Sequence, residues 1–127
     1  MTVLDILINY REAFLKGLWV SLQLAVIIWG VGISVGTAIA LIGMKHDVWV
    51  GRPARAVSFL LSGVPILVFL FWLHYPAQAM FDLVIDPFYT AALTLSIVNI
   101  FGVADLVRSA LQDFPSQYLT AAKVTGL

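Results

Sequence analysis

From Gly17 to Met44 the chain runs 28 residues without one ionisable side chain. About 20 apolar residues in helical form suffice to cross a hydrocarbon core, so the run predicts a transmembrane helix over 17–44. A secretory signal has a shorter apolar stretch and a small-residue cleavage pattern that this segment lacks. A second apolar run begins after Arg55 and passes through Leu60, Leu61, Ile66, Leu67, Phe69, Phe71 and Trp72 to His74. It predicts a second span over 56–76, ended by Pro76. A third, over 87–107, opens with 18 uncharged residues from Pro87 to Ala104 and reaches crossing length with Asp105 and Arg108 at the interface. Ahead of them Val3, Leu4, Ile6, Leu7 and Phe14 interleave with Asp5, Asn9, Arg11 and Glu12, the pattern of an interfacial segment over 1–16.

Composition agrees. The 127 residues are 61% hydrophobic and 11% charged, too little charge to clothe a water-soluble surface. Seven Lys plus Arg balance seven Asp plus Glu, which points to no nucleic-acid partner. With no Cys, thiolate chemistry is excluded, and nothing in the pattern suggests a metal site or a catalytic group. Charge placement sets direction, because basic loops stay in the cytoplasm. The 45–55 loop holds Lys45, Arg52 and Arg55, and the 108–127 tail holds Arg108 and Lys123. The 77–86 loop has only Asp82 and Asp86, so it is expected outside, which makes the chain N-out and C-in.

Several positions inside the spans stand out. Gly32, Gly36 and Ala40 recur every four residues and form one strip along the first span, where another helix can approach closely. In Ser62-Gly63-Val64-Pro65 the proline lacks an N–H and crowds the Leu61 carbonyl, so a kink is expected at Gly63 and Pro65. Ser96 and Asn99 share a face of the third span, suited to hydrogen bonding another helix or to lining a passage. His74, between Trp72 and Tyr75, and His46, in the basic loop, read as interfacial residues. No Asp, Glu, Lys or Arg lies near the centre of a span, and no Gly-rich phosphate cradle is present, so this chain is not expected to hydrolyse ATP. In the tail, Pro115 suits the start of a short helix, Gly126 its end, and Ala121 with Ala122 leave room for a partner surface.

Three stretches carry a resemblance. Gly17-Leu18-Trp19-Val20-Ser21-Leu22-Gln23-Leu24-Ala25, Ser62-Gly63-Val64-Pro65-Ile66-Leu67-Val68, and the series Asp105, Arg108, Gln112, Pro115, Thr120, Ala121, Ala122 and Gly126 occur in an order similar to that of the permease subunits of binding-protein-dependent ABC importers of the polar amino-acid type. The last series resembles the approach to that family's Glu-Ala-Ala-x-x-x-Gly loop, with Thr120 in place of the Glu. Ser62 and Val64 likewise replace the family's usual Arg and Thr.

The resemblance implies an all-α membrane protein of the bacterial inner membrane: three transmembrane helices and a cytoplasmic coupling helix, forming the N-terminal portion of a five-span permease. It implies a second permease subunit, identical or not, a cytoplasmic ABC ATPase dimer that binds ATP and Mg, and an external solute-binding protein, with no cofactor on this chain. Pro115, Thr120, Ala121, Ala122 and Gly126 are then the ATPase-coupling residues. Two other classes compete: a membrane anchor or assembly subunit, for which the Gly32, Gly36 and Ala40 strip suffices, and a small proton-coupled exchanger, for which Glu12 is the only early carboxylate. Co-purification separates them, because an importer subunit brings an ATPase with it.

Overall fold

A computed structural model describes residues 2–126; Met1 and Leu127, the outer limits of the 1–16 and 108–127 segments, lie outside the described residues. The described chain is all helical: α1 (Val3–Asn9), α2 (Arg11–Lys45), a one-turn π-helix (Asp47–Gly51), α3 (Arg52–Ser62), α4 (Ile66–His74), α5 (Pro76–Met80), α6 (Pro87–Gln112) and α7 (Ser116–Val124). Two of these, α2 with 35 residues and α6 with 26, are long and apolar enough to cross a membrane.

A reciprocal cap starts α1: Asp5 N donates to Thr2 Oγ1 at 3.4 Å, and Thr2 N donates to Asp5 Oδ2 at 3.1 Å. The Thr2 N bond, joined by Thr2 Oγ1 donating to Asp5 Oδ2 at 2.9 Å, holds the Asp5 carboxyl below its ordinary pKa. Tyr10, at φ −109° and ψ 20°, separates α1 from α2. The first long helix therefore begins at Arg11, six residues before the predicted span. Asp86 starts α6 by accepting from Phe88 N at 2.9 Å, with Pro87 at the first helical position, where its missing N–H costs nothing.

The core is the α2–α6 crossing, and α3 and α4 pack on α6 from the side. The 56–76 segment is not one helix. It splits at Gly63–Pro65, and the rods on either side, Asp47–Ser62 and Ile66–Met80, meet at 98°. The expected kink is thus a break: Pro65 has ψ 137°, outside the helical range, and its ring disfavours helical geometry at Val64. Only if this bent pair counts as one crossing does the number of spans reach three.

Of the two segments expected to be loops, 45–55 is largely helical and 77–86 is helical only as far as Met80. Within 45–55, the π-helix runs directly into α3, because Gly43 and Gly51 let the turn fold back onto α2. A Cβ added at Gly43 would lie 3.0 Å from Gly51 Cα, closer than ordinary contact. Within 77–86, Pro76 opens the short helix α5 rather than ending order. The turn after α5 uses Asp82 at φ 52°, a left-handed conformation that Asp tolerates.

Candidate functional site

Small residues set the approach of the long helices. Gly32, Gly36, Ala40 and Gly43 are the buried residues of α2. A Cβ at Gly36 would stand 2.6 Å from Ile100 O and 2.9 Å from Val103 Cβ. At Gly32 it would overlap the carboxamide of Asn99, whose Oδ1 is buried without a hydrogen-bond partner. The strip and Asn99, singled out separately in the sequence, thus meet in one interface. Ser96 is also buried on α6. Gly63 and Pro65 are exposed at the α3–α4 break, and α3 is tied to α6 by Ser58 Oγ donating to Phe101 O at 3.2 Å.

At one end of the bundle a polar cluster joins α4, α5 and α6. Gln78 Nε2 donates to Leu73 O at 3.3 Å and to Thr90 Oγ1 at 3.2 Å, and lies 3.3 Å from His74 Nδ1. Its Oε1 accepts from Ile85 N at 2.9 Å, fixing the turn into α6. His74 Nδ1 lies 3.3 Å from Thr90 Oγ1, and the fully buried Thr94 donates to Thr90 O at 2.8 Å. Gln78 falls in a segment that reads as an external loop, and no spacing signal marks it.

The other end is ionic. Asp47 accepts from Arg55 Nη2 at 2.7 Å and from Arg52 Nε at 3.2 Å. The Arg55 bond holds the Asp47 carboxyl below its ordinary pKa against the opposing effect of burial, with a lesser contribution from Arg52. On α6, Arg108 Nη2 forms an ion pair with Asp105 Oδ1 at 2.9 Å. Between them lies a cleft of about 250 Å³ whose lining includes Asp47, Arg55, Arg108 and Gln112, with Ala40 and Ala104 below. The separations between Asp47 and its two arginines, five and eight residues, match no single-helix rule, so the sequence does not announce this pairing. Among the described residues no His, Asp and Glu group is arranged to hold a metal ion.

After Gln112 the chain breaks at Asp113–Pro115 and forms α7. Among the described residues α7 packs against no other helix, and every residue from Leu111 to Gly126 is exposed except Ala122, which is half-buried. Pro115 stands at the N-cap with extended backbone, Thr120 donates to Ser116 O at 3.1 Å, and Thr125 Oγ1 donates to Ala121 O at 3.0 Å. Gly126 takes φ +82°, the left-handed exit that favours glycine. Thr120, Ala121, Ala122 and Gly126 therefore lie on one projecting element, apart from the Gly32–Asn99 interface and the Gly63–Pro65 break.

Residues 30–127 match the family described as "binding-protein-dependent transport system inner membrane component". The chain is similar to the octopine transport system permease protein OccM of Rhizobium radiobacter, 27% identical over 123 residues, which cover 91% of this chain and 50% of that protein. It is also similar to the octopine transport system permease protein OccM of Rhizobium meliloti, 24% identical over the same shares. The chain spans about half the length of these curated relatives. No solved structure matches it.

Proposed function

The chain belongs to the family of binding-protein-dependent transport system inner membrane components, and on that premise we propose that its α7 is the lever through which a cytoplasmic ABC ATPase drives solute import. The observation that carries this reading is a nine-residue helix, with Ala121 and Ala122 in its second half, that follows a membrane-length helix and packs against no other helix among the described residues. A short helix without tertiary partners is marginal in water, so α7 needs a surface to rest on. The small side chains at 121 and 122 suit a cleft wall that must come close.

In this reading α2, the bent α3–α5 pair and α6 are three crossings over 17–44, 56–76 and 87–107, with the amino terminus outside and α7 inside. Lys45, Arg52, Arg55 and Arg108 then share the cytoplasmic side, a reading supported by the single cleft that Arg55 and Arg108 both line. A second permease subunit completes the passage, an ATPase dimer holding ATP and Mg seats the two levers, and an external binding protein delivers solute. Nucleotide binding moves the pair between inward-open and outward-open states only to the extent that it favours one of them. The solute class is polar amino acids or their derivatives, on the strength of relatives named for octopine transport. The break at Gly63 and Pro65, with Ser96 and Asn99 on α6, is assigned to packing and shaping of the passage.

The test is Ala122→Arg in the full-length permease, reconstituted with its ATPase and binding protein. Loss of solute-stimulated ATP hydrolysis and of uptake, with unchanged permease abundance, is expected. Normal stimulated hydrolysis refutes the lever assignment.

A further inference from the structure

The geometry points to the cleft between α2, the π-helix, α3 and α6 as a binding site for the phosphate headgroup of an anionic membrane phospholipid. Depth comes first. Lys45 closes α2 directly after its uncharged run, and Arg108 lies 21 residues beyond Pro87 on α6, which runs parallel to α2, since Gly32 meets Asn99 and Gly36 meets Ile100 and Val103. At roughly 1.5 Å per residue that separation is about the thickness of a hydrocarbon core. Arg55 and Arg108 therefore face the cleft at the level where lipid phosphates lie.

Charge comes second. Three arginines, Arg52, Arg55 and Arg108, stand against two carboxylates, Asp47 and Asp105, which leaves the site positive before Lys45 is counted. Arg55 and Arg108 each use one Nη2 in an ion pair, and a guanidinium has five N–H donors, so both can also donate to a phosphate oxygen. The Gln112 carboxamide adds a further donor at the rim. Asp47 also lines the cleft, but its two arginines keep it compensated.

Shape comes third. The floor is made of Ala40 and Ala104, both buried, and Ile39 and Met44 form an apolar wall toward the bilayer. A free phosphate would use the cations alone, whereas a phospholipid would also cover this wall with the start of its acyl chains. Basic pockets between helices are a known way of holding acidic headgroups. The site requires that α2 and α6 cross the bilayer as proposed above, and does not require α7 to engage an ATPase.

The experiment places the full-length permease in nanodiscs containing phosphatidylglycerol and phosphatidylcholine and reads retained lipid by native mass spectrometry. Wild type should retain phosphatidylglycerol selectively, and each arginine should contribute about fivefold, so Arg55→Gln with Arg108→Gln lowers selectivity about twenty-fivefold. Arg52→Gln, outside the cleft lining, should retain most of it. Ala54→Leu fills the cleft without altering charge and should give the same loss should the double variant not fold. Equal retention of the two lipids by wild type, selective retention by the double variant or by Ala54→Leu, or displacement of the lipid by inorganic phosphate overturns the assignment. A failed lever test with intact lipid selectivity leaves this site standing, so the two readings fail separately.

Discussion

Replacing Gly36 by Ala tests how the long helices are held together. A Cβ there would sit 2.6 Å from Ile100 O, where ordinary contact begins at 3.4 Å, so the helices must part locally by about 0.8 Å. The obstacle is a backbone carbonyl of α6, which cannot rotate aside, and Val103 closes the other side. Overpacking of this kind costs about 1–3 kcal/mol. The substitution also gains about 0.5–1 kcal/mol, because Ala loses less backbone entropy in a helix than Gly. Gly30→Ala supplies the reference: it lies on the same helix with nothing within 4 Å of the added Cβ, so only the gain applies. Subtracting the two variants cancels propensity and leaves the overpacking alone, an expected difference of about 1–3 kcal/mol. Gly32→Ala should fall between them, since the obstructing Asn99 is a side chain that can turn, and Asn99→Ala should relieve it. Equilibrium unfolding of the full-length permease in mixed micelles gives all four values. Gly36→Ala matching Gly30→Ala within about 0.3 kcal/mol would refute the claim that the Gly36 contact sets the helix separation.

Other consequences are accessible to similar measurements. Asp47 has a folded pKa below its unfolded one, so its contribution is present above the ordinary carboxylate range and disappears as pH falls through the depressed value. Amide protection factors at Val50 and Gly51, taken relative to the intrinsic exchange rate at each pH, should therefore fall in acid, and Asp47→Asn should show the acid protection at neutral pH; an acid-insensitive protection factor would contradict the ion-pair account. Gln78→Leu leaves Ile85 N without its acceptor and should cost about 1–3 kcal/mol, with faster exchange confined to residues 83–86. Pro65→Ala restores an N–H and releases Val64, so spin labels at Phe59 and Trp72 should move apart as the 98° bend opens. An unchanged distance would place the cause of the bend in packing against α6 instead.

Much of this molecule is written locally. The uncharged stretch from Gly17 to Met44 specifies a helix in lipid, because in hydrocarbon only a structure that pairs its own backbone groups is tolerated. The four-residue recurrence of Gly32, Gly36 and Ala40 makes a groove on any helix, Pro65 breaks any helix, and Pro115 with Gly126 brackets the tail. Each of these follows from the periodicity or stereochemistry of one segment. Which surface fills the groove does not: that Gly32 meets Asn99 and Gly36 meets Ile100 depends on the register of two helices whose contacting residues lie more than 60 positions apart. The same holds for the 98° angle at Pro65, which a missing N–H permits but does not set, and for Gln78, whose burial arises only when α4, α5 and α6 converge. Asp47 pairs with Arg55 only because Gly43 and Gly51 let the π-helix fold against α2. Local chemistry thus determined the elements and their ends, while contacts between distant segments, governed by close packing and satisfaction of buried polar groups, decided the bend and the ionic cleft.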